Sequence, residues 1–141
     1  MIEQIINFLL KCPVLEKSGI NVNYLDGKAG SYSLESRSGH SVIKRYADGG
    51  VLCEKRFVLA SRRENSAAYG SNVKVAHDCE QIEAWICEQS EKGLLPQTDK
   101  GVLPCLLEIV KGFAVTHTAS VDVRIEAELK FVFYTDKKAL V

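Results

Sequence analysis

The chain is short of the features that announce a chemistry. Lys and Arg together number 18 and Asp and Glu together number 18, so the net charge is zero. A protein that lives on a phosphate backbone carries a basic excess, and none is present. The five cysteines, Cys12, Cys53, Cys79, Cys87 and Cys105, are odd in number and scattered, with no CxxC pair. This is the pattern of reduced thiols, not of a disulfide framework or a redox motif. The glycines never form GxGxxG or a phosphate-binding loop. No apolar run is long enough to span a bilayer. The apolar opening MIEQIINFLL lacks the basic region and small-residue site of a secretory signal, which points to a cytosolic protein. Low-complexity tracts and internal repeats are also missing.

With 141 residues, 46% hydrophobic and 26% charged, the composition suits one globular domain spanning 1–141. Residues 2–11 predict an amphipathic helix with Ile2, Ile5, Ile6, Leu9 and Leu10 on one stripe. Pro13 ends it or starts a short turn through Leu15, and Gly19 suits a stop. Residues 20–25 and 31–36 predict short strands, with Asp26 and Gly27 as a turn between them. Residues 41–46 and 51–62 predict a hairpin around Ala47-Asp48-Gly49-Gly50, where Asp-Gly suits a type I′ turn. Lys55 breaks the apolar face of the second arm, so burial is expected only from Phe57 onward. Residues 64–72 predict a loop. A helix follows, starting between Asn72 and Asp78, with Val75, Cys79, Ile82 and Ile86 inward and Trp85 as an anchor. Gly93 and Pro96 end it.

The last third dominates the pattern. Two long strands flank the turn His117-Thr118-Ala119-Ser120. In the second, Val121, Val123, Ile125, Ala127, Leu129, Phe131 and Phe133 alternate with Asp122, Arg124, Glu126, Glu128 and Lys130. About 14 residues span roughly 45 Å, long for this chain, so part of the strand is expected to be covered by a neighbour in an assembly. The predicted class is α+β: a mostly antiparallel sheet with two helices on one face, in the order α-β-β-β-β-α-β-β.

Candidate chemistry is sparse. His40, His77 and His117 are far apart, and the pair His77 and Cys79 lacks the further ligands of a zinc site. No cysteine is flanked as a nucleophile is. Lys44-Arg45 and Arg62-Arg63 read as surface solubilisers. The wet face of the last strand reads either as a solvated face or as a subunit contact that uses charge for register. No cofactor or metal is expected.

Taken in order, IEQIINFLLKCPVL, SYSLES, KRYADGG, FVLASRRE, AWICEQSEKGLLP and EIVKGFAV…VRIEAELKFVFY resemble the tail terminator proteins, also described as minor capsid or neck proteins, of long-tailed bacteriophages and prophages of Gram-positive hosts. The resemblance runs from Met1 to about Tyr134. Its most specific parts are the Trp85-Ile86-x-x-Gln89 helix ending, with Gly93-x-Leu95-Pro96 after it, and the final strand. The Phe133-Tyr134 pair keeps the aromatic ending of that strand, whereas the loop over 64–72 is short and alanine-rich.

The resemblance implies a non-enzymatic homohexamer in a virion tail or phage tail-like particle, assembled in the host bacterial cytoplasm. Such a ring caps the tail tube protein, ends tube polymerisation and offers a head-joining surface. Its further partners are sheath protein and head-tail connector proteins. Asp48, Gly49, Gly50, His117, Thr118 and Ser120 are then expected to make axial contacts, and Arg124, Glu126 and Glu128 subunit or lumen contacts. The competing expectations are a small cytosolic α+β enzyme such as an acyltransferase, which needs a glycine loop or an activated nucleophile, and a nucleic-acid-binding sheet, which needs basic aromatic strands.

Overall fold

The sheet is built around one uninterrupted ladder. In the computed structural model, which describes residues 1–23, 30–37, 39–64, 69–119 and 122–136 and leaves aside the side chains of 69–71, strand β4 (Val51–Glu64) pairs antiparallel with β6 (Asp122–Thr135) at every residue. On one side of β4 lie β2 (Tyr32–Ser36) and, further toward its start, β3 (Ser41–Arg45). Beyond β2, β1 (Ile20–Val22) pairs in parallel. On the far side of β6, β5 (Val102–Thr118) forms an edge. The sheet is therefore largely antiparallel, with one parallel pair.

Three helices pack on it: α1 (Ile2–Leu9), α2 (Pro13–Ser18) and α3 (Tyr69–Glu91). The order is α-α-β-β-β-β-α-β-β. This corrects the expected two-helix order, because the segment after Pro13 makes a helix of its own. Proline at the first helical position gives up no hydrogen bond. Leu15 is fully buried beneath the helix, and Gly19 ends it at a φ of 73°, a conformation side chains resist.

All three helices feed one apolar cluster. Ile5, Leu9, Leu15, Ile82 and Ile86 meet Leu34, Phe57, Leu59, Leu129 and Phe131 from the facing side of the sheet. Phe8, outside the expected stripe of α1, is also buried and lies 5.4 Å from the ring of Trp85. Val51 and Cys53 are buried as fully as Phe57, so Lys55 does not mark where burial begins. Its ammonium reaches over the Phe57 ring at 5.9 Å, and its stem stays along the apolar surface. Helix α3 begins earlier than its pattern suggests, at Tyr69 inside the expected loop. The expected turn at Asp26-Gly27 lies outside the described residues.

The two long hairpins turn differently from expectation. At the β3–β4 turn the Tyr46 amide donates to Gly50 O (2.8 Å) and the Gly49 amide to Tyr46 O (3.1 Å). Only Gly49 has positive φ, 92°, which makes a three-residue loop ending in a left-handed glycine and not a two-residue type I′ turn. At the other hairpin, His117 and Thr118 belong to β5, paired with Arg124 and Val123.

Candidate interaction surface

The alternation of β4 and β6 gives the sheet a face away from the helices, and this face carries most of the charge. Glu54, Arg56, Arg62, Asp122, Arg124, Glu126, Glu128 and Lys130 all project there. Directly opposed residues in the ladder include Arg62 with Arg124 and Arg56 with Lys130, pairs that repel. Each cation is offset by a neighbouring carboxylate. Arg62 reaches Asp122 at 3.2 Å, and Lys130 reaches Glu108 of β5 at 2.9 Å. Arg56 bridges Glu54 and Glu128. Arg124 bridges Glu35 of β2 and Glu126, the latter at 2.7 Å. Desolvation works against the charge of Arg124, but its hydrogen bonds to Glu126 and Glu35 outweigh this and hold its pKa above the ordinary value.

Arg124, Glu126 and Glu128 are therefore engaged within the chain and half-buried, with Glu128 opposite Val58 and Glu126 opposite Ala60 in the ladder. Solvent-screened pairs of this kind are worth up to about 1 kcal/mol each, so their main contribution here is order along the face.

The β3–β4 tip is a built structure. The Asp48 carboxylate accepts from the Gly50 amide at 2.9 Å, and the Tyr134 hydroxyl donates to its other oxygen at 3.4 Å. Tyr46 meets Tyr134 edge to face at 5.6 Å, and the Lys44 ammonium sits 5.2 Å from the Tyr46 centroid. Gly50 is buried beneath Tyr134 and is not a surface contact. Asp48 and Gly49 are exposed, as are His117 and Thr118. Ser120 lies outside the described residues.

The two tips do not come together. Val51 pairs with Thr135 and Glu64 with Asp122, so the Asp48 turn and the Thr118 end of β5 stand at opposite ends of one ladder. Between them run the lateral edges. Strand β5 is largely exposed beyond Ile109, with Val110 and Val115 open to solvent, and β3 is exposed at every residue.

Arg63 is the residue whose role the sequence reading missed. It is 9% exposed, on the helix side of β4, and not a surface solubiliser. Its guanidinium donates to Ser61 Oγ (3.1 Å), to Asp78 of α3 (3.3 Å) and to the Tyr32 phenol. Burial pushes Tyr32 up to about 12 and Cys79 up to about 11, with Arg63 opposing both. The signal was available: carrying the inward alternation Val51, Cys53, Phe57, Leu59 four residues further reaches Ser61 and Arg63. The cluster ties β2, β4 and α3 together and is fully partnered, which marks it as a framework element.

Among the described residues no group of three or more His, Cys, Asp or Glu side chains is arranged to hold a metal ion, and no helix is long and apolar enough to cross a membrane. A scan against models of protein families finds none that matches the chain, and a search of curated proteins finds no match.

Proposed function

We propose that the chain is a structural subunit that closes into a homohexameric ring on the end of a phage-type tail tube. The ring ends tube polymerisation and offers a surface for joining a head, with sheath and connector proteins as further neighbours. The observation that carries this reading is the disposition of the sheet. One long ladder spans the sheet from the Asp48 turn to the Thr118 end of β5, and among the described residues the lateral edges, β1 and β3 on one side and β5 on the other, are unpaired. A ring needs two heterologous lateral surfaces per subunit and two distinct axial faces. Strands running along the ring axis give each axial face one tip, Asp48-Gly49 on one and the His117-Thr118 end of β5 on the other. The sequence resemblance to tail terminators supports the same assignment. Termination then works by mismatch: the face turned away from the tube does not reproduce the surface on which tube subunits polymerise.

The test is electron microscopy of the purified protein mixed with tail tubes, read by counting capped ends and by tube length. Six-fold density at tube ends and a halt to elongation are expected. Tubes that elongate normally, with bare ends at saturating protein, overturn the reading.

A further inference from the structure

The groove between α3 and β5, about 410 Å³, has an acidic and apolar lining. Glu91 and Glu108 lie along it with Ile109 and Val110; Glu108 already pairs with Lys130 at 2.9 Å, Glu91 is in no salt bridge among the described residues, and Val110 is 40% exposed. Across the sheet, the opposite edge has the complementary character. Strand β3 reads Ser41-Val42-Ile43-Lys44-Arg45, with Val42 and Ile43 exposed. Neither Lys44 nor Arg45 takes part in a salt bridge among the described residues. One chain thus carries a basic, apolar edge strand and an acidic, apolar groove beside its other edge.

We propose that strand β3 of one copy adds along β5 of the next, with Lys44 and Arg45 facing Glu91 and Glu108 and Ile43 entering the groove. The inference rests on the ring reading, of which it names the lateral contact.

The directions agree. β3 with β4, β4 with β6, and β6 with β5 are all antiparallel. A second copy in the same orientation therefore presents its β3 antiparallel to β5, the favourable sense for strand addition. The run Leu106–Ile109 pairs with β6 without a register shift, and this straight stretch matches the short length of β3. Within one copy β3 stands level with the start of β5. Pairing at Leu106–Ile109 offsets neighbours along the strands by about four residues, or roughly 13 Å. A stagger of this kind is what lets a sheet close on itself. The contact is heterologous, β3 to β5 and never β5 to β5, so it propagates around a ring and does not stop at a dimer.

The experiment uses two charge-reversed proteins under reducing conditions, which keep the exposed Cys87 and Cys105 from cross-linking. One carries Lys44→Glu with Arg45→Glu; the other carries Glu91→Lys with Glu108→Gln, which avoids setting a second cation opposite Lys130. Circular dichroism checks that each folds, and sedimentation velocity measures association over a concentration series. Wild-type protein is expected to self-associate, and each variant alone at least about tenfold more weakly. An equimolar mixture is expected to recover wild-type association to within about twofold, because every contact in an alternating assembly again joins opposite charges. Wild-type protein that stays monomeric at the highest concentration overturns the edge pairing and leaves the ring reading to the tube-end experiment. Variants that associate as wild type does, or a mixture that fails to recover, overturn the β3–β5 contact while a ring built on other surfaces stands.

Discussion

The guanidinium of Arg63 both donates to the Tyr32 hydroxyl and lies 5.1 Å from the centre of its ring, joining two strands that are neighbours in the sheet across 31 residues of sequence. A planar cation suits this place, since it can stack and donate at once. Removing it strands the buried Tyr32 hydroxyl and the Asp78 carboxylate. Arg63→Ala is expected to cost about 3 kcal/mol in urea unfolding, and Arg63→Lys to recover less than half of that. Arg62→Ala, one residue away on the open face, is expected to cost under about 1 kcal/mol. Equal losses at the two positions would contradict the separation of their roles.

The same cluster sets an alkaline limit. Tyr32 titrates at about 12 in the folded chain, against an ordinary value of 10.0, because burial penalises the phenolate. The unfolded chain therefore loses this proton first. Stability is fully present below pH 10 and falls as pH rises through 10 to 12, by up to about 3 kcal/mol. Cys79, pushed from 9.0 to about 11 by burial, starts the decline a unit earlier. Urea midpoints measured from pH 8 to 11.5 are expected to drop throughout in wild type, and in Tyr32→Phe to drop less and to level off near pH 11, where the Cys79 contribution ends. A wild-type midpoint independent of pH over this range would refute the assignment.

Glu83 holds a bulge in place. Its Oε1 accepts the Phe113 amide at 2.7 Å, where the pairing of β5 slips between Lys111 and Ala114. A side chain on Gly112 would stand 2.6 Å from the same oxygen, so the neighbouring position is kept small. Glu83→Ala is expected to cost about 1–2 kcal/mol and to speed hydrogen exchange at the Phe113 amide. Glu83→Gln, which keeps the acceptor, is expected to lose less than half as much. Unchanged exchange in Glu83→Ala would mean that the bulge holds itself.

At the β3–β4 tip, a Cβ on Gly50 would sit 1.9 Å from the Tyr134 hydroxyl oxygen. The Tyr134 side chain can swing away, so Gly50→Ala is expected to lose the contacts of that ring and not the fold. The expected cost is about 1 kcal/mol, the scale of an aromatic pair. In a Tyr134→Ala background the same change is expected to be nearly neutral. A double-mutant cycle on thermal unfolding measures this coupling, and simple additivity would speak against it.

Much of this architecture could be read from periodicity. The alternation from Ile125 to Phe133 identified the buried face of β6, and the Ile82–Ile86 spacing identified the inner stripe of α3. What escaped were features set by competition between local signals. Pro13 both ends one helix and begins another, and only the burial of Leu15 decides between these. The Asp48-Gly49 pair suits several turns, and the closing bond from Tyr46 to Gly50 selects one. Arg63 was misplaced because a charged residue was read by its type and not by its position in the alternation. For the candidate surface, the sequence placed Arg124, Glu126 and Glu128 on one face. It could not show that Glu35 and Arg56, from other strands, already engage them.

The β4–β6 ladder also bears on how the chain comes to be folded. Val51 finds Thr135 only after more than half the chain has been made, and α3 and β5 intervene between the two strands. Contacts of such long sequence separation make folding slow. They also mean that during synthesis β4 waits with one side bare until β6 has left the ribosome. A chain interrupted before β6 has no central ladder and cannot hold β5 in the sheet, since β5 pairs there with β6. Synthesis through β6 is thereby a precondition for offering that edge in the sheet, and a copy that lacks β6 is kept out of any assembly built on it.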